Sequence, residues 1–134
     1  MGLRLFLDAN VLFTAAHLQQ GKAAFLFRNP KCWTLLSSEY ALQECRRNLA
    51  VKLPDAVDPM RKLALQLERA PQVGGVPPLA GLAEKDQPIF QAAMAARCTH
   101  LLTGGLRDFG PLMNQSGQTR GLIIQTVADF LADR

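Results

Sequence analysis

Residues 3–12 read LRLFLDANVL, and the change of pattern inside this stretch decides the fold prediction. The apolar run from Leu3 to Leu7 ends at Asp8, which is typical of a short strand buried on both faces. From Asn10 onward apolar residues recur at helical spacing as far as Gly21, which predicts a helix. A buried strand that leads directly into a helix is the repeating unit of α/β folds.

The rest of the chain alternates in the same way. We predict further strands at 33–36, 100–103 and 122–125, a short one at 73–76, and helices at 22–28, 39–49, 58–69, 86–97 and from 126 onward. This order predicts an α/β fold, a three-layer α/β/α domain with a mainly parallel central sheet of four to five strands. No linker divides the chain, so residues 1–134 are expected to form a single domain.

Helix starts are marked by capping residues. Ser37 or Ser38 is expected to cap the helix at 39–49, and Thr126 opens a capping-box pattern. Asp58 precedes Pro59 and Asp86 lies two residues before Pro88, so both aspartates are predicted to be helix caps.

Composition sets broad limits on function. The 134 residues are 49% hydrophobic and 19% charged, as in an ordinary globular protein, and no apolar run reaches the roughly 18 residues that span a membrane. A net charge of +4 favours an anionic partner such as nucleic acid without requiring one. Three cysteines without CxxC or zinc spacing indicate free thiols, and with them a reducing, cytoplasmic location.

Four acidic residues are predicted near the carboxyl ends of strands, where open parallel sheets bind ligands. Asp8 ends the first strand and Asp108 lies in the loop after the strand at 100–103. Asp86 heads the helix that leads into that strand, and Glu44 lies within the helix after the second strand. If the four carboxylates converge, their repulsion requires cations, and hard oxygen ligands select Mg²⁺ or Mn²⁺.

Each acid also has a simpler interpretation. Asp8 and Asp86 would serve as helix caps, Asp108 would hold a turn, and Glu44 would be a solvated position beside Arg46. The coincidence of all four with strand ends favours a functional site. The sequence contains no GxSxG, P-loop, HExxH or Cys-His metal motif that would direct the chemistry elsewhere.

An ordered set of four motifs, at residues 5–12, 37–44, 86–104 and 121–131, resembles the PIN-domain family over nearly the whole chain. Residues 5–12 (LFLDANVL) resemble its first motif, and 37–44 (SSEYALQE) its second. Residues 86–93 (DQPIFQAA) through 100–104 (HLLTG) resemble its third motif, and 121–131 its final strand and helix. The resemblance carries over Asp8, Glu44 and Asp86 as metal ligands.

This sequence departs from the family at one position. The family usually places Asp after Thr-Gly, where this chain has Gly105. Asp108, three residues later, is the candidate replacement, and the alternative is impaired activity. Thr103 is expected either to orient a ligand through its hydroxyl or to end the strand without a role in the site.

The resemblance implies a Mg²⁺-dependent ribonuclease that hydrolyses phosphodiester bonds in RNA. It also implies the toxin of a toxin–antitoxin pair, a homodimer inhibited by an antitoxin protein that fills its acidic cleft. The candidate contacts to the nucleic-acid backbone are Arg46, Arg47, Lys85, Arg107 and Arg120.

Two other function classes remain open. One is a catalytically impaired PIN-fold module, which would bind RNA or a protein partner without cleavage. The other is a phospho-acceptor receiver-like domain, which would place a Lys at the end of a late strand. This chain has Gln125 and Thr126 there, which disfavours the receiver.

Overall fold

The computed structural model describes residues 2–72 and 74–134. Within these ranges the chain forms a five-stranded, wholly parallel sheet with the order β3-β2-β1-β4-β5. The predicted α/β class and the parallel sheet are therefore confirmed. The strands are β1 Leu3–Leu7, β2 Trp33–Ser37, β3 Glu68–Arg69, β4 His100–Leu102 and β5 Ile123–Gln125.

Helices cover both faces of this sheet. They are α1 Ala9–His17, α2 Lys22–Leu26, α3 Glu39–Lys52, α4 Val57–Ala64, α5 Gln87–Ala95, α6 Leu106–Phe109 and α7 Val127–Ala132. Short 3₁₀ turns lie at Pro54–Ala56, Glu84–Asp86 and Gly110–Leu112. In the described ranges, no helix is both long and apolar enough to cross a membrane.

The core divides into two parts because successive strand residues point to opposite faces. Leu5 and Leu7 of β1 contribute to a core cluster that includes residues of α1, α2 and α4. Phe6, between them, joins Phe90 of α5 in a second cluster on the other face. The three-layer arrangement follows, and it brings every strand's carboxyl end to one rim.

The predicted helix caps at Ser38 and Thr126 are confirmed. The Ser38 hydroxyl accepts a hydrogen bond from the Ala41 amide at 3.2 Å and caps α3. The Thr126 hydroxyl accepts one from the Asp129 amide at 3.0 Å and caps α7. β1 has the predicted bounds.

The predicted helix at 58–69 is wrong at both ends. α4 begins at Val57, after a 3₁₀ turn, and ends at Ala64, while Glu68–Arg69 form β3. Asp58 is not a cap: it lies in the first turn of α4 and pairs with Arg61 at 3.2 Å. β3 forms because the edge of β2 offers unpaired backbone groups, and these outweigh the helical pattern of the local sequence.

The short strand predicted at 73–76 includes Val73, which lies outside the described residues. Residues 74–76, which are described, are irregular. The strand that adds to the sheet in this part of the chain is β3 instead.

Candidate metal centre

The carboxyl ends of β1 and β4 open into a pocket of about 300 Å³. Its described lining includes all four predicted acids, Asp8, Glu44, Asp86 and Asp108. The structure therefore brings them together, as their positions at strand ends suggest. Their role as ligands stays a prediction.

Asp8 lies deepest among these acids and is 6% exposed. Its Oδ1 accepts the Ala9 amide at 2.7 Å, and its Oδ2 accepts the Thr103 hydroxyl at 2.8 Å. Burial raises the pKa of Asp8, and the charges of Glu44 and Asp108 raise it further, against the effect of the two hydrogen bonds. Asp8 is thus both the α1 cap and a carboxylate under repulsion.

A polar clamp of Asn10 and Thr103 holds this end of β1 against β4. The Asn10 amide group donates to the Thr103 hydroxyl oxygen at 3.3 Å, and its oxygen accepts the Gly104 amide at 2.7 Å. Of the two expectations for Thr103, the contact with Asp8 favours a positioning role. Asn10 was missed as a functional residue, although its place two residues after Asp8 was a usable signal.

Asp86 ends the 3₁₀ turn before α5. Its predicted capping role is wrong, because its side chain makes no capping hydrogen bond to the described backbone. Its Oδ2 is buried and has no hydrogen-bond partner within residues 2–72 and 74–134. Burial raises the pKa of Asp86, with smaller contributions from Asp108 and Asp8 that act against Lys85.

The side chain of the next residue, Gln87, ties the start of α5 to the segment that precedes the turn. Its side-chain oxygen accepts the Leu79 amide at 2.8 Å, and its side-chain amide donates to the carbonyls of Leu79 and Leu82 at 2.7 and 3.0 Å. The segment before α5 is fixed in this way, and the Asp86 carboxylate stays available to the pocket.

α3 presents a polar stripe to the pocket at intervals of four residues: Tyr40, Glu44, Asn48 and Lys52. Residues four apart share a helix face. The Tyr40 hydroxyl donates to the Lys85 carbonyl at 2.8 Å. Partial burial raises the pKa of Tyr40, and Glu44 and Asp86 raise it further. Except for Glu44, the stripe was missed, although its spacing could have revealed it.

Asp108 lies in α6, a short helix and not the predicted loop, and its carboxylate pairs with the Lys85 ammonium at 3.3 Å. Gly105, immediately before α6, lines the same pocket. A Cβ at position 105 would lie 3.3 Å from the Thr103 hydroxyl and 3.6 Å from the Asn10 amide nitrogen. Its φ of −77° is accessible to any residue. The position of the family's expected acid thus faces the site.

The pocket suits a hard cation by the chemistry of its donors. Its four carboxylates, of which that of Asp86 has an oxygen without a partner in the described residues, are ligands that Mg²⁺ or Mn²⁺ would accept. In the described part of the chain, no three acidic, histidine or cysteine side chains lie close enough to enclose an ion. Carboxylates repel one another, and the charges of Glu44 and Asp108 add to the effect of burial in raising the pKa of Asp8.

The predicted phosphate contacts are placed unevenly. Lys85 lines the pocket. The Arg120 guanidinium is engaged elsewhere, because it donates to the carbonyls of Pro77 and Pro78 at 2.7 Å each and lies over the Phe90 ring. Arg46, Arg47 and Arg107 are exposed but do not belong to the described lining of this pocket.

The chain is similar in structure to VapBC proteins. VapBC2 from Rickettsia felis, bound to a DNA fragment from their promoter, matches with a TM-score of 0.65 and 14% identity, over 92% of this chain and 98% of that one. VapBC-1 from nontypeable Haemophilus influenzae matches with a TM-score of 0.59 and 12% identity, over 94% and 99%. This chain has a PIN-like fold. No protein-family profile and no curated protein matches its sequence.

Proposed function

We propose that this chain is a metal-dependent ribonuclease that uses Mg²⁺ or Mn²⁺ to hydrolyse phosphodiester bonds in RNA. The observation that carries the proposal is the gathering of four carboxylates in one pocket, with a buried Asp86 oxygen left unpartnered among the described residues. A site built only for stability would give the buried Asp86 oxygen a partner, because an unsatisfied buried polar atom destabilises the fold.

In this proposal the residues of the pocket have separate roles. Asp8, Glu44 and Asp86 would hold the ion, and Asp108 would close the pocket from α6. Thr103 fixes the Asp8 carboxylate by donating to it, and Asn10 fixes Thr103. The bound ion would supply a lowered pKa for a coordinated water and charge neutralisation on the phosphate. Lys52, exposed on the rim, is positioned to attract the nucleic-acid backbone.

The VapBC neighbours support a toxin of a toxin–antitoxin pair. In this proposal the chain is a single-domain cytoplasmic protein that forms a homodimer, and an antitoxin protein inhibits it by covering the acidic pocket. Among the described residues all three cysteines are free, as expected in a reducing compartment.

One observation favours a second candidate, a PIN-fold module that binds RNA or a protein partner without cleavage. Position 105 faces the Thr103 hydroxyl but carries no carboxylate. If four acids at the expected positions are required for hydrolysis, the pocket would bind without cutting.

The test is cleavage of labelled RNA by the purified chain, with Mg²⁺, with Mn²⁺ and after chelation. Cleavage should require the metal, and Asp86→Asn should abolish it. Asp58→Asn is the matched control, because Asp58 is an exposed aspartate in a surface pair with Arg61. RNA binding without cleavage would support the second candidate, and cleavage that survives chelation would rule out a metal mechanism.

A further inference from the structure

We propose that the Lys85 ammonium takes the place of a second cation beside Asp108, so that the pocket accepts a single divalent ion. This inference rests on the proposed function of the same site and concerns how many ions the site takes. Lys85 would then be a positioning residue that sets metal stoichiometry, rather than a phosphate contact.

Contacts of both its side chain and its backbone carbonyl hold Lys85 beside Asp108. Lys85 lies in the 3₁₀ turn Glu84–Asp86, and its ammonium is 3.3 Å from the Asp108 Oδ2. The Tyr40 hydroxyl donates to the Lys85 carbonyl at 2.8 Å, which ties this turn to α3 across the pocket mouth. The exposed side chain is thus anchored at its base on the rim, beside the carboxylate that it neutralises.

The charge balance of the pocket agrees with one ion. Its described lining holds four carboxylates and two lysines, Lys52 and Lys85, which leaves a formal charge of −2. One divalent cation balances that charge, whereas two would leave the pocket positive. Position 105, which faces the Thr103 hydroxyl, holds Gly, so the chain adds no carboxylate there for a second ion.

The ion pair has little structural purpose of its own. The Lys85 side chain is 69% exposed, and ion pairs of this kind contribute little to folding. The same ammonium would oppose a divalent cation beside Asp108 about twice as strongly as a single charge at the same distance, because the cation carries two units of charge.

Mn²⁺ binding measured by calorimetry and by electron paramagnetic resonance tests the inference without an activity assay. The wild-type chain should bind one Mn²⁺. Lys85→Met should bind a second ion at least about tenfold more tightly than wild type does. Lys85→Met/Asp108→Asn should return to one, because the carboxylate uncovered by the first change is removed by the second. Lys52→Met removes an equal charge from the same rim, but Lys52 makes no ion pair with a described carboxylate, so this change uncovers no ligand and should keep one ion.

Several results would overturn the inference. Two ions in the wild type, one ion in Lys85→Met, or an equal gain in Lys85→Met and Lys52→Met would each do so while leaving a metal-dependent ribonuclease intact. Absence of Mn²⁺ binding in every variant would overturn the proposed function as well. Melting curves identify any variant that fails to fold, and Lys85→Gln, which keeps a polar side chain, then replaces Lys85→Met.

Discussion

Two charged regions of the same sheet, one around Arg4 and one around Asp8, differ in how their charges are satisfied. The Arg4 guanidinium donates to the Ala96 carbonyl at 2.9 and 3.2 Å and pairs with Glu68 at 2.7 Å. The Asp8 carboxylate accepts hydrogen bonds from Ala9, Thr103 and, at 3.5 Å, Asn10. It also faces other carboxylates across the pocket, and its pKa is raised by burial and then by that repulsion.

The charged groups around Arg4 stabilise the fold, whereas the carboxylates around Asp8 are available to bind a ligand. Arg4 fastens β1 to the end of α5, and its partners are within the chain. At the other end of β1, burial raises the pKa values of Asp8 and Asp86, and neighbouring carboxylates raise them further, so a bound cation would relieve an unfavourable arrangement of charge. Four substitutions test this contrast.

Asp8→Asn should have the largest effect, a loss of metal-dependent cleavage of at least about 100-fold, because a charged ligand disappears at nearly constant volume. The metal-free protein should melt at nearly the same temperature, because the decrease in repulsion offsets the loss of one of the two oxygens that accept hydrogen bonds. Paired cleavage and melting assays measure both. Wild-type cleavage by Asp8→Asn would show that Asp8 serves only as the α1 cap.

Gly105→Asp should raise Mg²⁺ affinity and cleavage by about tenfold, because it adds a carboxylate at a position that faces the site. The backbone tolerates a side chain there, and the Thr103 hydroxyl, 3.3 Å from the new Cβ, must yield by a few tenths of an ångström. Gly117→Asp adds the same charge on a distant surface turn as a control. If Gly105→Asp folds and gains nothing, while Asp108→Ala loses nothing, neither position supplies a fourth ligand.

Arg4→Met should lower the free energy of unfolding by about 1 kcal/mol, because the Ala96 carbonyl and Glu68 lose a charged donor. Mn²⁺ affinity should not change, since Arg4 does not belong to the described lining of the pocket. Arg61→Met, which breaks an exposed pair with Asp58, should have a smaller effect in the same urea titration. A change in metal affinity in Arg4→Met would show that the two regions are coupled.

His100 should give the smallest effect, in the pH dependence of stability. Burial lowers its pKa, with a smaller contribution from Arg134, and its ring packs edge-on against Phe130 at 5.0 Å. Because the folded pKa lies below the unfolded value of 6.5, this histidine destabilises the fold as the pH falls through 6.5.

Chemical denaturation of wild type and His100→Gln between pH 8 and pH 5 isolates this contribution. The wild type should lose more stability over that range than His100→Gln does. His17→Gln removes an exposed histidine and should follow the wild type. Equal slopes for all three chains would mean that burial of His100 has no effect on its protonation.

The sequence predicted what local patterns control. β1 has its predicted bounds because an apolar run stops at Asp8, and Ser38 and Thr126 cap their helices through contacts three residues away. β3 was missed because Glu68–Arg69 become a strand through pairing with Leu36 and Ser37, more than thirty positions earlier. The sequence of two residues cannot indicate that they will pair with a strand so far away along the chain.

The candidate site shows the same difference between local patterns, which the sequence reveals, and long-range contacts, which it does not. Strand ends placed all four acids in one pocket because the carboxyl ends of parallel strands share a rim. The pairing of Lys85 with Asp108 and of Tyr40 with the Lys85 carbonyl joins segments far apart in sequence, so neither was predicted. Arg120 is predicted to contact phosphate, but its guanidinium donates to the carbonyls of Pro77 and Pro78, more than forty positions earlier. The local sequence gives no sign of that contact either.

The shortness of β3 also bears on how the chain behaves when many copies are close together. β3 lies at one edge of the sheet and is two residues long, and both of its side chains are tied by charge: Glu68 to Arg4, and Arg69 to Glu39 at 3.0 Å. An exposed edge recruits foreign strands through a long row of free backbone groups. Here that row is short and flanked by charged side chains, so β3 protects this edge from aggregation.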